Sequence, residues 1–245
     1  MQPDSSTLWH LLSGLGNLAV TTSLMLIIAV WLLTTHVWKT ALIWCALYGT
    51  AMIIVLITKI AFIGWGIGIE SLDFTGISGH ATRASVVLPV LFYLAMQTIG
   101  RPSFGALIGI VISGLVAVSR VMVGAHSISE AAAGYVFGCC IGLLFSGFLR
   151  NAVLPKSRWW LTSCLVVLLF ISPMDKSIDT DPLVNRLALI ISNHKIPVTR
   201  KIWGRLSGQA YFLNAVTAYG AILVILPLSP DQQFLAVSRF FELPV

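Results

Sequence analysis

Residues 40–60 read TALIWCALYGTAMIIVLITKI, an apolar run in which only Lys59 is charged. A helix needs about 20 such residues to cross a hydrocarbon core. The run is continuous rather than alternating, and lipid offers no partner to an unpaired backbone group. A helix is therefore expected, not a barrel built from short strands of period two. Similar runs near 18–35, 81–99, 105–123, 129–149 and 159–173 bring the expected number of spans to six, the last being short and closed by Pro173.

The whole chain agrees with this reading. Of its 245 residues 57% are hydrophobic and only 10% charged, with a mean hydropathy of +0.92, far from the balance of a soluble domain. The formal net charge is +6, but several Lys and Arg fall between apolar runs. The excess reads as topology and contact with anionic membrane lipids, and no basic, aromatic-interleaved stripe points to nucleic acid. Cys45, Cys139, Cys140 and Cys164 all lie inside apolar runs, which suggests neither a disulfide framework nor a zinc site. The opening MQPDSSTLWH lacks a positive n-region and a small-residue cleavage site, so no removable signal peptide is expected.

The fold class that follows is all-α, a polytopic membrane helical bundle with three segments. Residues 1–17 place Leu8, Leu11, Leu12 and Leu15 at helical spacing among polar residues, which suits a helix lying in the interface. Residues 18–173 form the six-helix membrane domain. Residues 174–245 form a periplasmic or interfacial tail, with 210–228 open as a seventh span. Lys39, Arg101, Arg150, Lys156 and Arg158 mark the cytoplasmic connections by the positive-inside tendency. Segments 61–80 and 120–128 then open on the opposite side.

Ionisable groups at membrane helix ends are functional candidates by default, since leaving one in lipid costs about 2.5–3.5 kcal/mol. Three sets qualify: Lys59; Ser78, Gly79, His80 and Arg83; and Ser119, Arg120, His126 and Glu130. The expected topology brings all three to one membrane face. That face would carry three cations, two imidazoles, two hydroxyls and a carboxylate, the inventory needed to clamp a phosphate, attack it and protonate a leaving oxygen.

In their order and spacing these residues resemble the type 2 phosphatidic acid phosphatase (PAP2) superfamily, whose signatures are K-x6-RP, PSGH and SR-x5-H-x3-D. The third is matched by Ser119-Arg120, His126 and Glu130, with Glu in place of Asp. The second appears as Ile77-Ser78-Gly79-His80, without its proline. The first keeps Lys59 but has Gly66 and Ile67 where Arg-Pro stands in the family. The resemblance implies that His126 is the nucleophile, oriented by Glu130, and that His80 is the general acid and then base. Lys59, Ser78, Gly79, Ser119 and Arg120 would hold the phosphate, and no metal or other cofactor is implied. Arg83, on the same helical face as His80, is the candidate to supply the missing guanidinium.

The function implied is a metal-independent membrane phosphatase that acts on a lipid phosphate monoester or pyrophosphate through a phosphohistidine, at the periplasmic face of a bacterial inner membrane. A lipid phosphotransferase with the same site, or a non-catalytic relative that binds or transports lipid, are the alternatives. Taken singly the residues have ordinary explanations: Lys59 as a snorkelling lysine, the third set as a cap and ion-pair network, His80 as an interfacial residue. Their order and shared face favour the site. His10, His36 and His194 read as interfacial or loop residues, and Trp9, Trp38, Trp159 and Trp160 as interface anchors.

Overall fold

The computed structural model describes residues 5–34, 36–97, 99–150, 159–170, 181–194, 196–200 and 202–204. They form α1 (Ser5–Gly14), α2 (Leu18–Thr34), α3 (Trp38–Trp65), α4 (Gly79–Gln97), α5 (Pro102–Met122), α6 (Ile128–Leu149), α7 (Trp159–Phe170) and α8 (Asp181–Ser192). Among the described residues there is no strand, only an isolated bridge between Ile69 and Phe74. The chain is a polytopic helical membrane protein. It divides into two compact units, 1–198 and 199–245, and all eight helices belong to the first.

Among the described residues, five stretches are long and apolar enough to cross a membrane: Thr7–Thr34, Trp38–Trp65, Gly79–Gln97, Pro102–Met122 and Ile128–Leu149. The sixth expected span is described only as α7, whose 12 residues rise about 18 Å, short of a core about 30 Å thick. The stretch 210–228, left open as a seventh span, lies outside the described residues, as do Lys156 and Arg158.

The helix α3 runs on to Trp65, where Gly66 closes it with a left-handed φ of 69°. Lys59 therefore lies inside the last turns of a helix and not at its end. At the start of α2, the Asn17 side chain accepts from the Ala19 N–H at 3.0 Å, an N-cap that fixes the elbow from α1.

The most enclosed span is α4, and small residues make this possible. Gly105 and Gly109 of α5, and Gly134, Gly138 and Gly142 of α6, face the α4 backbone so closely that a Cβ would fall 2.1–2.9 Å from its carbonyl oxygens or that of Ser78. In lipid there is little hydrophobic drive between helices, so such close backbone approach supplies the packing. Around it, Trp44 stacks on Phe145 with ring centroids 4.7 Å apart and donates its indole N–H to the Met25 carbonyl. Trp160 is 2% exposed and packs on Trp31. It is a core residue, unlike the exposed Trp38 and Trp159, because α7 lies against α2.

This order of helices gives the bundle two chemically distinct ends. The C-terminal turns of α3 and α5 meet the N-terminal turns of α4 and α6, which brings Lys59, Arg120, His80 and Glu130 to one end. Lys39, Arg101 and Arg150 stand at the opposite ends of α3, α5 and α6.

Candidate active site

The third motif folds by local rules. After α5 ends at Met122, Gly124 takes a left-handed φ of 68°, which a residue with a Cβ adopts at a cost. The chain then reverses so sharply that the backbone N–H groups of Ala125 and His126 both donate to the Arg120 carbonyl, at 3.0 and 3.2 Å. The five-residue spacing thereby sets His126 beside Arg120. Ser127 follows as the N-cap of α6, its hydroxyl accepting from the Glu130 N–H while the Glu130 carboxylate accepts from the Ser127 N–H. This reciprocal capping box needs Glu or Gln at the third helical position, which gives a physical reason for Glu where the family pattern has Asp.

Glu130 is 1% exposed and both its oxygens are used. Oε2 accepts from His126 Nδ1 at 2.8 Å, and Oε1 accepts from the Thr75 N–H at 2.8 Å and from the Thr75 hydroxyl. A carboxylate only accepts, so His126 carries its proton on Nδ1 and presents the lone pair of Nε2. Thr75 ties the loop before the second motif to α6, and the Ser78 N–H donating to the Glu130 carbonyl at 3.2 Å makes a second tie. On the other side the Ile77 N–H donates to the Thr58 hydroxyl of α3 at 3.1 Å. The loop is thus pinned from two helices.

That pinning sets the head of α4. Ser78 is fully buried and its hydroxyl oxygen has no hydrogen-bond partner among the described residues, an arrangement that calls for a ligand oxygen or water. Gly79 opens α4, where the first backbone N–H groups have no partner within the helix and favour an anion.

His80 stands in the opposite relation to its neighbours. Arg83 Nη2 lies 3.3 Å from His80 Nδ1, and a guanidinium only donates, so Nδ1 accepts and the His80 proton lies on Nε2. The same guanidinium donates to the Gly16 carbonyl from Nε and Nη2, at 3.4 and 3.3 Å, while Nη1 lies against Gly79. Arg83 thus joins the site chiefly through the His80 ring and the α1–α2 elbow. Arg120 Nη1 donates to the Ser13 hydroxyl of α1.

Lys59, Arg83, Arg120 and His126 all lie within electrostatic range of His80. The structure therefore brings together residues from all three motifs. Ser119 is the exception, since its buried hydroxyl turns back to donate to the Val116 carbonyl at 2.7 Å. Among the described residues no group of three or more His, Cys, Asp or Glu is arranged to hold a metal ion.

Several partners carry no motif signal: Ser13, Gly16, Thr58 and Thr75. His10, read from sequence as interfacial, lines a cavity of about 330 Å³ together with Ser13, Asn17, His80 and Arg120. Only Thr75 had a cue, its position in the short loop before the second motif.

Comparison with known proteins agrees with the motifs. The family model described as PAP2 superfamily matches residues 61–154, starting just after Lys59 and covering both histidines. The chain is also similar to an uncharacterized 22.5 kDa protein in the cps region of Klebsiella pneumoniae, 32% identical over 163 residues, which is 64% of this chain and 78% of that protein. No solved structure matches.

Proposed function

This chain belongs to the PAP2 superfamily, and from that premise we propose that it is a membrane phosphatase that hydrolyses a lipid phosphate through a phosphohistidine. One observation carries the reading. Two histidines at one end of a membrane bundle are each held through Nδ1, one by a carboxylate and one by a guanidinium, which leaves Nε2 bare in His126 and protonated in His80.

The first step is attack by the His126 Nε2 lone pair on phosphorus, forming an N–P bond as the bond to the leaving oxygen breaks. His80 donates its Nε2 proton to that oxygen. A neutral imidazole is a weak acid, and the adjacent Arg83 stabilises the negative charge that develops on the ring. In the second step His80 Nε2 takes a proton from water, whose oxygen attacks phosphorus. The N–P bond breaks, its electrons return to His126, and inorganic phosphate leaves. Lys59, Arg120, the Ser78 hydroxyl and the N–H groups at the head of α4 hold the non-bridging oxygens, where charge grows in the transition state.

A site at the mouth of a helical bundle leaves the substrate's chain in lipid while its phosphate meets the cations. The basic residues at the far ends of α3, α5 and α6 support an orientation with the site on the periplasmic side of a bacterial inner membrane. The test is phosphate release from long-chain lipid phosphates by the purified protein beside His126→Ala. Release well above that variant is expected. Equal release across a panel of lipid mono- and diphosphates contradicts the enzyme reading.

A further inference from the structure

We infer that α1 builds a leaving-group subsite for an anion, and that His10 is its specificity-determining residue. This rests on the phosphatase reading above. The cavity of about 330 Å³ is walled by His10, Ser13, Asn17, His80 and Arg120, with Gly14, Val123 and Ala125 completing it. Its wall includes His80 but not His126, Lys59 or Ser78. It therefore opens on His80, the residue that protonates the leaving oxygen, and the attacking His126 takes no part in its wall.

Most of the wall is polar, so an acyl or prenyl chain is a poor occupant. Among the described residues it contains no carboxylate, while Arg120 brings a guanidinium and His10 and His80 bring imidazole donors. That chemistry fits a second phosphate next to the scissile bond. In a diphosphate the terminal phosphoryl group would pass to His126 and the lipid-linked phosphate would leave into this chamber, accepting a hydrogen bond from His10.

The chamber is a built feature. The Ser13 hydroxyl holds Arg120 Nη1, and Gly16 lies so close over His80 that a Cβ would come 2.9 Å from the His80 carbonyl oxygen. The α1–α2 elbow is thereby fixed above the general acid. Asn17 is occupied as the cap of α2, and Ser13 by Arg120. His10 is exposed, at the rim, and can change without disturbing either.

The test measures kcat/KM for phosphate release from a prenyl diphosphate and from the corresponding prenyl monophosphate, in wild type, His10→Ala and His10→Lys. Loss of one hydrogen bond to a charged group predicts that His10→Ala lowers the diphosphate value about tenfold more than the monophosphate value. His10→Lys, which keeps a donor, restores most of the difference. Equal losses on the two substrates, or a wild type that prefers the monophosphate, overturn the subsite. Release from neither substrate overturns the subsite, and the phosphatase reading then stands or falls on release from the other lipid phosphates of the panel.

Discussion

His126 and His80 sit within electrostatic range of each other, yet their surroundings are opposites. His126 leans on a buried carboxylate that is itself fixed by Thr75 and by the capping box of α6. His80 leans on a guanidinium that is fixed by a carbonyl at the α1–α2 elbow. In the proposed mechanism the same side chain serves as nucleophile in one setting and as proton donor in the other. What differs is the partner of Nδ1, and so the state of the nitrogen left facing the substrate.

The comparison is broken most severely at His126. Replacement by Ala removes the attacking nitrogen, and phosphate release is expected to fall on the order of 10⁴-fold or more, measured in steady state on a long-chain lipid phosphate. His80→Ala is expected to lose about 10²–10⁴-fold on a lipid alcohol leaving group. The loss shrinks on an aryl phosphate, whose leaving oxygen needs no proton. An equal loss on both substrates would remove His80 from acid catalysis.

Arg83 sharpens the comparison. Arg83→Met removes the donor to His80 Nδ1 and is expected to lower kcat by about 10²-fold, whereas Arg83→Gln, which can still donate, retains more activity. A Met variant as active as Gln would show that the guanidinium does not set the ring. The smallest effect is expected at Thr75. Thr75→Val leaves Glu130 Oε1 short of a donor and lowers kcat by about tenfold, while Thr75→Ser stays near wild type.

Much of this was legible in the sequence, for reasons that can be named. Of the six spans expected from apolar run length, five stand among the described residues as helices long enough to cross, because backbone satisfaction in lipid leaves few choices. The Ser119 to Glu130 stretch was legible because its contacts are local: a left-handed Gly124, two N–H groups on one carbonyl, and an i,i+4 pair. Ser127 and Glu130 spell a capping box in plain sequence, a signal that explains the unexpected Glu.

The rest depends on tertiary contact. Arg83 reaches Gly16 across 67 residues, Arg120 reaches Ser13 across 107, and Glu130 reaches Thr75 across 55. No periodicity reports such pairs. The same holds for α1, whose leucines suggested an interfacial helix while its other face carries His10 and Ser13 into the site. Lys59 reads as a helix end because a span of about 20 residues closes near residue 60, although the apolar run and the helix both continue to Trp65 and are stopped only by Gly66.

Ring-nitrogen NMR of the ¹⁵N-histidine-labelled protein decides whether the two imidazoles are held in opposite tautomers, with His126→Gln and His80→Gln used for assignment. A protonated Nδ1 and bare Nε2 are expected for His126, with the reverse for His80. The same tautomer on both rings would overturn the division of roles between them.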